Sequence, residues 1–197
     1  MKLIFISGPS GSGKTPLSKK IIGKIKNGII LSTDNYYKVG LRSKLLSKFL
    51  GGYFDRSISF NYKLFKKDFN FILENGIAIN ERFYNFKKKT IKNFLKETYD
   101  IKYLIVEGIF AKELSGTLYN KNCFFLELKI NKNECMKRVV QRDIKERGKA
   151  KRQAEKDFLK SWDIYYEKFK NKKNNNSNEF TITNETNMDQ ILKKLFD

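Results

Sequence analysis

The apolar run KLIFIS, Lys2 to Ser7, passes without a break into GPSGSGKT, Gly8 to Thr15. A short apolar run closed by a glycine-rich turn reads as a buried strand. The glycines at 8, 11 and 13 permit backbone geometry that side chains would block, so successive N–H groups can point at one bound anion. A helix is expected from Lys14 to about Lys26, with Leu17, Ile21, Ile22 and Ile25 on one side, and its positive dipole end meets the same point. Pro16 falls in the first turn, where its missing N–H has no helical partner to lose. Gly28 to Ser32 then reads as a second strand, which completes a βαβ opening.

The rest of the chain keeps alternating. KVGLRSKLLSKFLGG is basic and apolar and ends in paired glycines, and residues 39–52 are expected to act as a flap. An amphipathic helix is expected from about Tyr62 to Glu74, stopped by Asn75 and Gly76. Ile77, Ile79 and Phe83 then suggest an extended stretch, followed by the basic run KKKTIKNFLKE. Tyr103 to Val106 and Cys123 to Ile130 read as strands, and Asn131 as the cap of a helix running to Arg147. A helix from Ala154 to Phe169 carries Phe158, Trp162, Tyr165 and Phe169 at helical spacing, a stripe expected to be core. After the polar KNKKNNNSN, FTITNE and DQILKKLF give a last strand and helix. Strands alternating with helices imply a mostly parallel sheet covered on both faces, in one domain spanning 1–197. Ligands of such sheets gather beyond the carboxyl ends of the strands, so GPSGSGKT, TDNYY and Glu107-Gly108 should converge.

The formal charge of +20 raises nucleic acid as a partner. The lysines are spread among asparagines and isoleucines rather than grouped in a recognisable module, so no specific nucleic-acid partner is expected. No apolar run approaches the roughly 18 residues that span a bilayer, and the N-terminal run lacks a cleavage site, so the expectation is a soluble, cytoplasmic chain without a membrane partner. Cys123 and Cys135 have neither zinc-site nor disulfide spacing and are expected to be reduced core thiols.

Chemistry can be assigned to the converging segments. The backbone of Gly8, Ser10, Gly11, Ser12 and Gly13 suits a polyphosphate, Lys14 adds a point charge for its outer phosphates, and Thr15 offers a hydroxyl to Mg²⁺. Glu107, closing the strand YLIVEG, can hold the same ion directly or through water. A nucleoside triphosphate with Mg²⁺ is what this pattern calls for, as in a kinase, a GTPase switch or an ATP-driven motor, and ATP and Mg²⁺ are the expected cofactors. Transfer of phosphate to a hydroxyl also needs a carboxylate that takes the hydroxyl's proton. The chain has no histidine, and Asp34, just after the second strand, is the candidate base.

From Asp34 onward the sequence resembles the uridine kinase branch of the phosphoribulokinase/uridine kinase family. Asp34, Asn35, Tyr36 and Tyr37 match its Asp-x-Phe/Tyr-Tyr motif. YFDRSISFN keeps Phe54, Asp55 and Phe60 of a second motif, and Gly76, Tyr84 and Phe86 keep the spacing of a third. IVEG looks like the family's Ile-x-Glu-Gly, and KRVVQRDIKERGK, Lys137 to Lys149, is close to its arginine-rich lid motif. The resemblance covers nearly the whole chain and implies a P-loop three-layer α/β/α kinase with a helical lid at about 138–155. It implies Asp34 as catalytic base, Asp55 on the ribose hydroxyls, Tyr84 in contact with the nucleobase, Tyr37 in the acceptor pocket, and Arg142 and Arg147 clamping the phosphates. It also implies uridine or cytidine as acceptor, and a homo-oligomer.

Four departures fall on the acceptor side. Lys89 and Ile91 stand where the family has a base-reading histidine and arginine, Val139 replaces an arginine of the lid motif, and Arg56 and Ser57 replace His-Pro. Lys149 replaces the last lid arginine, keeping charge but losing the bidentate fork. Lys89 and Arg56 would suit an acceptor that already carries an anion, such as a sugar phosphate. A nucleotide-binding regulatory module without an acceptor is the other reading. A guanine-reading Asn-Lys-x-Asp motif is not legible.

Overall fold

The computed structural model describes residues 1–117, 123–169 and 178–196. Its centre is a five-stranded parallel sheet of β1 (Lys2–Ser7), β2 (Gly28–Ser32), β5 (Tyr103–Glu107), β6 (Cys123–Leu128) and β7 (Glu179–Ile182), in the order β2-β5-β1-β6-β7. Successive side chains of a strand point to opposite faces, so a strand covered on both sides reads as a continuous apolar run. In β1, Leu3 and Phe5 join one core cluster with Leu104, Val106 and Phe125, while Ile4 and Ile6 join the other with Ile105, Leu126 and Leu128.

The first face is covered by α3 (Tyr62–Asn75) and α4 (Ala111–Thr117). The Asn61 side chain caps α3 by accepting from the Leu64 N–H at 3.2 Å, and Gly76, left-handed at φ 65°, ends it. Phe65 and Phe69 stack at 5.7 Å on its buried face. Burying each such ring contributes about 1.5–3 kcal/mol. The other face is covered by α1 (Lys14–Ile22), α5 (Lys132–Arg147) and α7 (Met188–Phe196). The Asn131 cap of α5 is present, accepting from Asn133 N–H at 2.9 Å. The long helix α6 (Lys151–Phe169) divides its aromatic stripe, with Phe158 and Trp162 in one cluster and Tyr165 and Phe169 in the other.

Several boundaries differ from the sequence expectation. Helix α1 ends at Ile22, where Gly23 turns the chain, instead of near Lys26. Strand β6 ends at Leu128 instead of Ile130, and α6 begins at Lys151 instead of Ala154. Within 39–52 the chain forms a helix, α2 (Leu41–Phe49), whose Leu41 and Phe49 are exposed. From Thr90 on the basic run is a strand: β3 (Ala78–Asn85) and β4 (Thr90–Thr98) form an antiparallel hairpin outside the main sheet. Its turn is closed by Asn85, whose side chain accepts from Lys88 N–H at 2.7 Å, with Lys89 left-handed at φ 52°. A turn without glycine left no mark in the sequence. The hairpin is tied to α3 by Arg82, which donates to Asp68 at 2.7 Å, while Tyr36 donates to the same carboxylate at 3.0 Å. The polar stretch KNKKNNNSN falls, apart from Asn178, outside the described residues, which include no helix long and apolar enough to cross a membrane. Cys123 and Cys135 are both buried and free.

Candidate active site

Strands β1, β5 and β2 run in register, with Ile6 beside Glu107 and Ser32 beside Glu107. Their carboxyl ends therefore open on one edge, and the loops that follow line a cleft of about 1090 Å³. Lys14, Thr15, Asp34, Asp55, Glu107 and Arg147 all line it. So do Tyr37, Lys89 and Arg142.

The glycine loop is shaped by close approach. Gly11 has φ 82°, and a Cβ there would lie 2.4 Å from the Cys135 carbonyl oxygen and 2.8 Å from Val139 Cγ2. Gly13, at φ 97°, caps α1. The loop is thus pressed against α5, and Arg138 of α5 donates to the Gly11 carbonyl at 3.2 Å. Ser10, Gly11 and Gly13 face the cleft, while Ser12 is buried with a hydroxyl that has no partner among the described residues. A cradle of left-handed glycines at a helix N-terminus, with an orphaned hydroxyl, fits a polyphosphate. Lys14 donates to the Gly8 and Pro9 carbonyls at 2.9 Å each. Burial lowers its pKa, against the pull of the Glu107 and Asp34 carboxylates.

The Thr15 hydroxyl lies 3.4 Å from each carboxylate oxygen of Glu107. Burial raises the Glu107 pKa and the charge of Asp34 adds to it, while hydrogen bonds from Ser32 and Thr15 and the charge of Lys14 oppose the rise. A hydroxyl and a desolvated carboxylate at the mouth of a phosphate cradle are the hard oxygen donors a magnesium ion takes. The Glu107-Gly108 backbone packs so tightly on the next segment that a Cβ on Gly108, at φ 137°, would fall 1.8 Å from Thr33 Oγ1. That contact holds Thr33 and Asp34 against the end of β5.

Around Asp34 the wall is aromatic. Tyr37 donates to Asp34 at 3.4 Å and packs edge-on against Phe54, Tyr84 and Phe86. Burial, with the charges of Asp34 and Asp55, pushes the Tyr37 phenol up, so it stays a donor. Tyr84 lies in the second layer of this wall: it is buried, its N–H donates to Asn35 at 3.1 Å, and Phe86 is the ring on the cleft side. Asp55 accepts from Ser161 at 2.6 Å, and burial lifts its pKa to about 6.

The α5–α6 corner closes the cleft from above. Asp143, buried at 2% exposure, takes Arg142 at 2.9 Å, Arg147 at 3.3 Å and Lys149 at 3.0 Å. Arg147 also lies over the Phe86 ring, its guanidinium carbon 4.0 Å from the centroid. Lys149, in place of a forked arginine, bridges to Asp157 at 2.7 Å. Lys89 donates to Ser47 of α2 at 2.6 Å, and burial together with Lys48, Lys149 and Lys44 lowers its pKa. The sequence reading gave Ser32, Phe86, Arg138, Asp143 and Ser161 no role in the site, although Phe86 stood in a motif. Ser32 had a signal, since it ends a strand beside Glu107, but nothing in the sequence links Ser161 to Asp55, 106 residues away.

The phosphoribulokinase/uridine kinase family model matches residues 3–177. The chain belongs to that family. It is therefore a phosphotransferase acting on a hydroxyl acceptor, with a P-loop nucleotide site. A uridine kinase of Borrelia duttonii is 31% identical over 174 residues, 86% of this chain and 80% of that protein. A uridine kinase of Ureaplasma parvum is 26% identical over 190 residues, 94% of this chain and 89% of that protein. Among solved structures, D-glycerate 3-kinase of Cryptococcus neoformans superposes with TM-score 0.62 at 14% identity, covering 92% of this chain and 86% of that one. The YFH7 protein of Saccharomyces cerevisiae superposes with TM-score 0.66 at 9% identity, covering 94% and 93%. At such identities these two likenesses bear on the fold alone.

Proposed function

We propose that the protein transfers the γ-phosphoryl group of ATP to the 5′-hydroxyl of uridine or cytidine. The observation that carries this is the presence of Asp34 in the same cleft as Lys14 and the Thr15–Glu107 pair, beside a second carboxylate, Asp55, with an aromatic wall between. The uridine kinases among its relatives support the acceptor.

In this reading Thr15 and Glu107 would hold Mg²⁺, which would supply charge to offset that of the phosphates. The loop from Gly8 to Gly13 binds the polyphosphate through its N–H groups, and Lys14 turns from the Gly8 and Pro9 carbonyls to the outer phosphates. Asp55 accepts the ribose hydroxyls and Tyr37, with Phe86, packs the nucleoside. Asp34 takes the proton of the attacking hydroxyl as its oxygen bonds to phosphorus and the bridging P–O bond to ADP breaks. Arg142 and Arg147, held by Asp143, offset the charge that develops on the phosphoryl oxygens, and the α5–α6 corner acts as a lid that excludes water. The same reading makes residues 1–197 one catalytic domain, working on small molecules in the cytoplasm as a homo-oligomer, with no nucleic-acid or membrane partner.

One observation favours a second acceptor class. Lys89 gathers with Lys44, Lys48 and Lys149 at the far wall, where the family's base-reading histidine is missing, and that charge suits an acceptor already carrying a phosphate. ADP release measured with ATP·Mg²⁺ against uridine, cytidine and a set of sugar phosphates separates the two. Turnover with uridine or cytidine, abolished in Asp34→Asn with nucleotide binding intact, is the expected result. Turnover with sugar phosphates alone moves the reading to the second class, and none with any acceptor leaves a regulatory nucleotide-binding protein.

A further inference from the structure

Asp55 belongs to a short 3-10 turn, Tyr53–Asp55, that follows directly on the paired glycines ending the α2 segment. Those glycines are where α6 docks. A Cβ on Gly51 would lie 2.9 Å from Lys160 Cδ, and one on Gly52 would lie 2.3 Å from Ile164 Cδ1. Gly52 is also left-handed, at φ 67°, and its carbonyl accepts from the Asp55 N–H at 3.1 Å. The glycine pair thus lets α6 approach until a side chain as short as serine reaches across the gap. Ser161, between Lys160 and Ile164, donates to Asp55 Oδ2 at 2.6 Å, and both residues line the cleft. Among the described residues no donor meets the other carboxylate oxygen, Oδ1.

We infer that Ser161 is a positioning residue for the acceptor: its hydroxyl fixes one oxygen of Asp55 so that the other is presented to the acceptor's hydroxyl groups. This rests on the reading of Asp55 as an acceptor ligand. The charges and polar groups facing Asp55 are Asp34 and Tyr37 from the β2 end, Lys14 from α1, Arg147 from α5 and Ser161 itself from α6. Burial holds the carboxyl at about 6, and the Ser161 hydrogen bond is the strongest influence in the opposite direction. The serine therefore both orients the carboxylate and keeps it ionised, the form that accepts two hydrogen bonds from a diol. Helix α6 begins just past the corner that follows Arg147, so it runs from that corner to the Ser161–Asp55 contact.

The test compares Ser161→Ala, Ser161→Thr and Asp55→Asn, with uridine as acceptor and saturating ATP·Mg²⁺, at several pH values around the carboxylate range. Ser161→Ala should raise the uridine KM about tenfold, as expected for losing a hydrogen bond to a charged group. Its kcat and its affinity for a fluorescent ATP analogue should stay at the parent level. The acid limb of kcat/KM should move from about 6 to higher pH, and Ser161→Thr should restore it. An unmoved KM and acid limb in Ser161→Ala, beside a raised KM in Asp55→Asn, overturns the inference and leaves the reading of Asp55 standing. An unchanged KM in Asp55→Asn overturns both. If uridine gives no turnover, ¹³C NMR titration of the Asp55 carboxyl decides, since an equal pKa in parent and Ser161→Ala overturns the inference. Ser161→Cys, of similar volume and weaker donor strength, replaces alanine if that variant fails to fold.

Discussion

The hydroxyl of Thr15 stands 3.4 Å from both carboxylate oxygens of Glu107, 92 residues further along the chain. The parallel register of β1 and β5 brings them together, since it sets Ile6 beside Glu107 and leaves the glycine loop curling over the strand end. Neither residue alone would hold a divalent ion firmly; as a pair they offer hard oxygens beside the glycine loop.

Loss of either partner should therefore appear as metal dependence. Glu107→Gln and Thr15→Ala are each expected to raise the Mg²⁺ concentration for half-maximal rate by about 10- to 100-fold. Titration of initial rate against Mg²⁺ at fixed ATP checks this, and equal curves for parent and variants would remove the pair from the metal site.

Gly11 carries a prediction about packing. In Gly11→Ala the new methyl meets the Cys135 carbonyl, which is backbone and cannot swing away, in a left-handed conformation that costs roughly 1–2 kcal/mol for a side-chain-bearing residue. The loop must lift from α5. Nucleotide affinity is expected to fall by at least about tenfold, a change of about 1.4 kcal/mol. Equilibrium binding of a fluorescent nucleotide measures it.

Asp143 is expected to control stability through pH. Burial alone would raise its pKa, but the charges of Arg147 and Arg142, with hydrogen bonds from Lys149 and Arg142, more than offset this and hold it below the ordinary carboxylate value. A carboxyl depressed in the fold contributes stability above its unfolded pKa, about 3.9, and loses it as pH falls through the folded value. Asp143→Asn should cost about 3 kcal/mol at neutral pH, the low end for a buried pair because the three cations stay partly exposed. Urea unfolding at neutral pH and below about pH 4 tests the sign: the gap between parent and variant should narrow in acid.

Arg147 combines an ion pair with Asp143 and a stacking contact on Phe86, and lysine can reproduce only the first. Arg147→Lys is expected to lower kcat by about 10²-fold, the scale of one lost transition-state donor, with nucleotide affinity changed far less. Pre-steady-state turnover of ADP formation distinguishes a slower chemical step from slower release. A parent-like rate would exclude the guanidinium from the reaction.

What the amino-acid sequence determined by itself is what depends on near neighbours in the chain. KLIFIS before a glycine loop, Asn61 and Gly76 bracketing α3, and Asn131 opening α5 are local signals, because caps and left-handed glycines act within one turn. The convergence of three segments on one cleft was legible for the same reason: Gly8 to Thr15 is contiguous, and Asp34 and Glu107 sit at strand ends whose meeting follows from a parallel sheet. The acceptor wall was legible only in part, through Tyr37, Asp55 and Lys89. The hairpin turn at Asn85 lacked glycine, Tyr84 proved to be the layer behind Phe86, and Lys149 joins Arg142 and Arg147 on Asp143 only because the chain turns at Gly148. Tertiary structure alone brought Ser161 to Asp55, since that meeting depends on α6 closing against two glycines that have no side chain to hold it away.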